Sequence, residues 1–235
     1  HDPVEEPVDV LSRIGYLSED RDMPGWMRVG ELMAYTRSFY PGWDDTYAEK
    51  LLQTFGLDIG TKVKNLSRGQ KAQAGLLIAL AYRPELLLLD EPSSGLDPVV
   101  RRDILSAIIR TVADEGRTVV FSSHLLDEVE RVADDVAMIH RGKVVMCGPL
   151  EEIKAGYRQA TLWFERDPGT PPSAPSLLSC EGKGREWRVL CEGSEADLKN
   201  LFVDFKAEIV ETDTPSLEDI FVACAGADRA ALREG

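Results

Sequence analysis

Short apolar runs separated by stretches of helical periodicity make up the chain as far as Gly156. Arg13 to Leu17 reads as a strand, and Ser18 to Trp26, with Pro24 and Gly25, as the loop leaving it. Apolar positions recur at helical spacing over Val29 to Tyr40 and Asp44 to Phe55, parted by the Pro41-Gly42 breaker, and predict a pair of short helices. Leu57 to Asn65 is a connector. Helix formers with one apolar face then run from Ser67 to Tyr82, and Pro84 stops them before Leu86 to Leu89, a run short enough for a strand. Two more helix-then-strand units follow: Val99 to Ala113 before Thr118 to Phe121, and Leu125 to Ala133 before Val136 to Ile139. That alternation predicts an α/β fold with a parallel sheet covered by helices. Arg141-Gly142-Lys143 is placed to turn Val136 to His140 back on Val144 to Cys147 as an antiparallel edge hairpin.

After Gly156 the pattern changes. Four of the 13 prolines lie between Pro168 and Pro175, so Asp167 to Ser176 reads as a loop or linker. Around it, Thr161 to Phe164, Trp187 to Leu190 and Glu208 to Val210 read as strands, and Ala196 to Phe202 and Ser216 to Cys224 as helices. The expected organisation is a main domain over residues 1–156, with a helical subdomain over about 27–83, and a small α+β accessory region over 157–235 with its Pro-rich loop at 167–176.

Composition narrows the class. The 235 residues are 43% apolar and 29% charged, as in a folded soluble protein. A net charge of −14 argues against a nucleic-acid binder that works by neutralising phosphates, though not against a local basic patch. The longest apolar stretches, Leu76 to Tyr82 and Leu86 to Leu89, fall far short of the roughly 20 residues that span a bilayer. Cys147, Cys180, Cys191 and Cys224 form no CxxC pair and have no His at zinc-finger spacing. They read as reduced thiols of a cytoplasmic protein, with a disulfide as the lesser reading. The chain starts at His1, and His1-Asp2-Pro3 reads as an interior turn, so the native start is expected upstream.

The chemistry-bearing signal is Leu86-Leu87-Leu88-Leu89-Asp90-Glu91-Pro92, a hydrophobic strand ending in two acids. Such a strand delivers its last side chains to the carboxyl edge of an α/β sheet, where ligands bind. Asp90 would suit a hard cation such as Mg²⁺, and Glu91 could orient a water attacking a phosphate. A strand running into a solvated acidic turn would give the same letters. Upstream, Ser67-Arg68-Gly69-Gln70 has the spacing of a capping box at the start of a helix. A helix N-terminus can also hold an anion, although a cap alone is the commoner meaning. Downstream come Ser93-Ser94-Gly95-Leu96-Asp97-Pro98, a turn, and a strand leading into Ser123-His124. Each feature is ordinary alone; the three in this order are not.

These residues resemble the ATP-binding subunit of an ABC transporter. The LSRGQ segment is similar to the family signature, Leu86 to Glu91 to its Walker B strand, Ser93 to Asp97 to its D-loop, and His124 to its switch histidine. Tyr16-Leu17-Ser18-Glu19 falls where the family has its Q-loop, with Glu19 in place of the usual Gln. Thr214 to Phe221 resembles the ending of exporter-type subunits that pair with a separate permease. The resemblance implies an α/β fold of the P-loop NTPase kind, incomplete at its N-terminus: a parallel sheet with helices on both faces, a helical signature subdomain and a small α+β appendage. It implies ATP and Mg²⁺ as cofactors, with Glu91 and His124 catalytic, Asp90 and Glu19 at the metal, and Glu19, Ser67, Arg68, Gly69, Gln70 and Asp97 at the nucleotide. It implies as partners a second ATP-binding subunit, the same or different, and transmembrane permease subunits, at the cytoplasmic face of the cell membrane and without nucleic acid.

The sequence departs from the pattern in one large respect. The GxxxxGK[ST] loop is not in it; Gly142-Lys143-Val144 and Gly182-Lys183-Gly184 are its only Gly-Lys pairs, and neither is followed by Ser or Thr. That loop supplies the backbone amides and Lys that cradle phosphates, so the 235 residues alone are expected to bind ATP weakly or not at all, with truncation as the cause. Arg68 also stands where the commonest signature has Gly. Two other readings stay open: a catalytically silent module that engages a permease or regulator, and a soluble ABC ATPase of DNA repair or translation, which the charge disfavours.

Overall fold

The computed structural model describes residues 2–113, 116–194, 196–199 and 207–231. Contacts divide the chain into two units, His1–His124 and Leu125–Gly235.

The first unit holds α1 (Pro7–Arg13), β1 (Ile14–Leu17), α2 (Val29–Arg37), α3 (Asp45–Thr54), a 3₁₀ turn at Val63–Asn65, α4 (Arg68–Leu80), β2 (Leu86–Leu89), α5 (Pro98–Ala113) and β3 (Thr118–Phe121). The three strands form one parallel sheet in the order β1-β2-β3. Leu17, Leu89 and Phe121 are register partners, so the residues just beyond each strand emerge at one level. The ladder continues one step past the strands, with Asp90 N donating to Leu17 O (2.8 Å) and Ser122 N to Leu89 O (2.9 Å).

Helix α4 is the central packing element. Nine of its residues, from Gly69 to Leu80, are buried, Leu76, Leu77 and Leu80 at 1% exposure or less. Each such leucine contributes about 1.5–3 kcal/mol by leaving water. The helix lies so close to β1 that a Cβ at Gly15 would collide with Ala79 O, and one at Gly75 with Leu17 Cδ1. Helix α1 is the contrast: it buries no residue and leaves Val4, Val8 and Leu11 near it exposed.

The second unit holds α6 (Leu126–Val132), β4 (Asp135–His140), β5 (Lys143–Pro149), α7 (Leu150–Ala155), β6 (Tyr157–Phe164), β7 (Leu177–Lys183), β8 (Glu186–Glu192), β9 (Ala207–Asp213) and α8 (Leu217–Ala231). Strands β6 to β9 make an antiparallel sheet in the order β7-β8-β6-β9, with Ala160, Leu162, Phe164, Trp187 and Val189 in its core. Ile220 and Ala223 of α8 pack on Leu190 of the same sheet.

The antiparallel hairpin of β4 with β5 is the one the sequence predicts, whereas the place of β4 as a fourth strand of the parallel sheet is a correction. Among the described residues β4 pairs only with β5, antiparallel. The turn Arg141-Gly142 has positive φ at both residues (49° and 76°), the geometry that folds a strand back on its own neighbour. Only Val136 and Met138 of β4 are buried, against Leu150 and Leu217 and beside Leu126 and Val129, whereas a parallel strand covered on both faces is apolar throughout. This shared core is why the contacts divide the chain at His124 while the sequence pattern changes at Gly156. The helix read over Ala196 to Phe202 is present at 196–199; residues 200–202 lie outside the described residues.

Candidate functional site at the carboxyl edge of the parallel sheet

Every strand of the first unit ends on a candidate residue: β1 runs into Glu19, β2 into Asp90 and Glu91, and β3 into Ser122, Ser123 and His124. Because the strand ends are level, these loops share one edge. Ser122 ties two of them together. Its Oγ donates to Asp90 Oδ1 (2.7 Å) and accepts from Glu91 N (2.9 Å). Two residues on, His124 Nδ1 lies 2.8 Å from Glu91 Oε2. With its proton on Nδ1, the imidazole donates to the carboxylate and leaves Nε2 as an acceptor; as imidazolium it offers Nε2–H as well. The Glu91 side chain is 18% exposed and that of His124 64%, so the acid is sheltered and the ring faces solvent. The fold therefore unites Asp90, Glu91 and His124.

The turn after β2 is unusual. Glu91 has φ 44° and Gly95 φ 65°; a non-glycine residue in the left-handed region is uncommon. Ser94 N donates to Glu91 O and Leu96 N to Ser93 O (3.2 Å each), closing the turn, and Ser93 and Ser94 are buried. A Cβ on Gly95 would run into the Arg68 guanidinium, so the side chain of the signature segment rests against this same turn. Asp97 ends it by accepting from Val99 N (3.0 Å) and Val100 N (3.1 Å) at the start of α5.

At the start of α4, Ser67 Oγ accepts from Gln70 N (3.1 Å) and Gln70 Oε1 from Ser67 N (3.0 Å), a complete capping box. The box occupies two of the four N–H groups left over at a helix start, leaving those of Arg68 and Gly69. Gly69 itself is buried, with Val100 in the space a Cβ would take.

Two residues escaped the sequence reading. Ser122 was one hydroxyl among several at a strand end. Arg21, two residues past Glu19, is only 5% exposed, and its guanidinium donates to main-chain oxygens of the turn after β2. Burial, then the like charge of Arg68, pull Arg21 below the ordinary guanidinium value, and Glu19 opposes them. No spacing rule marks an arginine whose partners are backbone carbonyls.

The fit to the implied cofactors is partial. Asp90 presents one exposed carboxylate, and among the described residues no group of three His, Cys, Asp or Glu could hold a metal unaided. That suits Mg²⁺ bound by one carboxylate together with phosphate oxygens and water, and no self-sufficient metal site. For ATP, the acid pair, His124 and the α4 start fit the γ-phosphate end, whereas a GxxxxGK[ST] cradle is not among the 235 residues. None of the four cysteines is joined in a disulfide, and no helix among the described residues is long and apolar enough to cross a membrane.

Comparisons with known proteins give the family. A family profile described as an AAA domain, putative AbiEii toxin, Type IV TA system, matches residues 35–129, which take in Ser67 to Gln70, Asp90, Glu91, Asp97 and His124. YtrB of Bacillus subtilis (strain 168), an ABC transporter ATP-binding protein, is 28% identical, over 85% of this chain and 68% of its own. YhaQ of the same organism, an uncharacterized ABC transporter ATP-binding protein, is 30% identical over 93% of this chain and 76% of its own. The dimeric post-hydrolysis structure of the ATP-binding cassette MJ0796, bound to ADP and Pi, shares the fold at a TM-score of 0.56 and 21% identity, over 64% of this chain and 68% of that one. On the likeness to YhaQ and on the ordered motifs, this chain belongs to the ATP-binding proteins of ABC transporters, and so to the ABC family of ATPases.

Proposed function

We propose that the chain supplies the hydrolytic edge and the signature helix of an ATP-binding subunit that drives export through a separate membrane permease. The observation that carries this reading is the 2.8 Å contact of Glu91 with His124, with Ser122 bridging Asp90 to the Glu91 amide, at the level ends of three parallel strands. Glu91 then orients or deprotonates the attacking water, and His124 donates from Nε2 to the γ-phosphate, which requires it to be imidazolium while it holds Glu91 through Nδ1. Asp90 would hold Mg²⁺, which when bound neutralises phosphate charge. Ser67 to Gln70, with Arg68, close on the γ-phosphate of a second subunit, and Asp97 communicates across that dimer. Glu19 lies at the metal and on the permease side. The resemblance of Thr214 to Phe221 to exporter subunits supports the direction of transport, and the dimeric state of MJ0796 supports the pairing. The subunit sits at the cytoplasmic face of the membrane through its permease, and the 235 residues alone bind MgATP weakly or not at all.

The test is phosphate release by the protein expressed from its whole gene, beside calorimetric titration of MgATP into the 235-residue chain. The reading expects turnover that Glu91→Gln lowers by about 10²-fold or more, and no saturable binding by the 235 residues alone. A whole-gene protein without turnover, which binds a permease all the same, would make this a silent module. Saturable, Glu91-dependent turnover by the 235-residue chain would mean that a phosphate cradle exists elsewhere in it.

A further inference from the structure

The turn that carries Glu91 sends three main-chain oxygens toward one point. Those of Pro92 and Ser94 lie 3.2 Å from Arg21 Nη2, and that of Glu91 lies 3.5 Å from it. Pro92 and Ser94 are buried, so these carbonyls depend on a protein donor rather than on water. The donor is itself buried, at 5% exposure, and its Nε has no hydrogen-bond partner among the described residues. A charged side chain is costly to bury; this one is held on neutral backbone acceptors, with Arg68 as an unfavourable and Glu19 as a favourable electrostatic neighbour. Arg21 belongs to the loop leaving β1, two residues after Glu19, and its own φ is 52°. The guanidinium therefore joins the loop after β1 to the turn after β2, and the turn carries Glu91 at one end and Asp97 at the other.

We propose that Arg21 is a positioning residue for hydrolysis: it clamps the Glu91–Ser94 turn to the Glu19 loop, so that the place of the Glu91 carboxylate against His124 follows the position of that loop. This rests on the reading of Glu91 given above. Arg21 touches no reacting atom. Its effect runs through the Glu91 main chain, whose nitrogen is held by Ser122 and whose oxygen faces Arg21. A change at the Glu19 loop thereby reaches the water-positioning acid without any movement of the sheet.

The experiment uses the protein expressed from its whole gene. In Arg21→Gln, without nucleotide, hydrogen exchange at the Ser94 and Leu96 amides, which close the turn, should speed up by about tenfold or more, while exchange in the β6–β8 pairing stays as it was. The kcat should fall by about 10- to 10²-fold, with KM for MgATP moving less than about threefold. Arg21→Lys should recover part of both losses, and Arg21→Gln added to Glu91→Gln should lower kcat no further. A folded Arg21→Gln protein with unchanged exchange and kcat would overturn the proposal, as would a loss that adds in full to that of Glu91→Gln. Should Arg21→Gln not fold, wild-type exchange and kcat in Arg21→Lys would overturn the role of the guanidinium. If Glu91→Gln leaves turnover intact, the functional reading falls and this proposal with it; if Glu91→Gln abolishes turnover while Arg21→Gln does not, only Arg21 falls.

Discussion

The two units use polar groups differently. In the first, Arg21, Ser93 and Ser94 are buried together at one turn, and that turn bears the acid of the site. In the second, polar groups tie elements to one another: Gln159 of β6 accepts from Arg188 of β8 (2.7 Å), and Glu130 of α6 pairs with Lys154 of α7 and accepts from Leu217 N at the start of α8 (3.2 Å). The strands differ in the same sense. Those of the first unit are four residues long and serve to deliver the polar residues beyond their ends, whereas β6, eight residues long, buries Ala160, Leu162 and Phe164 as core. Polar residues that converge on one strand end mark chemistry; polar residues spread across element junctions mark scaffolding.

The largest expected effect breaks or keeps that contrast directly. His124→Ala should lower kcat of the whole-gene protein by about 10²-fold or more, whereas Arg188→Ala should leave it within about twofold; equal losses from both would erase the distinction. Next, Leu162→Ala, which empties a site of 0% exposure, should cost about 2–5 kcal/mol in denaturant unfolding and leave kcat per folded molecule unchanged. Ser67→Ala should cost about 1 kcal/mol through loss of the α4 cap, together with a fall in activity if, as proposed, the residue that caps the helix also faces the nucleotide.

The smallest effect is on alkaline stability. Burial, then Cys224, pushes the Tyr157 phenol up to about 12, and burial, then Tyr40, pushes that of Tyr82 up further. The folded state favours the neutral phenol. Its contribution is complete below the ordinary phenol value of about 10 and is lost as pH rises through the folded value. Tyr157→Phe should therefore flatten the fall in Tm above about pH 10; an unchanged slope would place the sensitivity elsewhere.

The sequence made much of the first unit legible because its apolar runs end on the residues that matter. Leu86 to Leu89 leads to Asp90, and Ser67 with Gln70 announces the start of α4 by a spacing that has a local physical cause. The features that stayed hidden have causes that are not local. Arg21 acts on backbone carbonyls some 70 positions on, which no side-chain pattern records. Helix α1 buries nothing, so hydrophobic periodicity had no core to report. Strand β7, Leu177–Lys183, is polar over its second half and owes its extended form to pairing with β8. Strand β4 reads as another member of the parallel sheet because helix-then-strand order is the same in both settings, although its antiparallel partner is legible in the Arg141-Gly142-Lys143 turn.

The central claim is that Glu91 is the hydrolytic acid of a subunit that pairs through its signature helix. The direct measurement is sedimentation of the Glu91→Gln protein, expressed from its whole gene, with and without MgATP. The account predicts a monomer without nucleotide and a lasting dimer with MgATP, because closure persists when the bound nucleotide is not hydrolysed. A Glu91→Gln protein that stays monomeric with MgATP, or turns it over as fast as the unaltered protein, would contradict it.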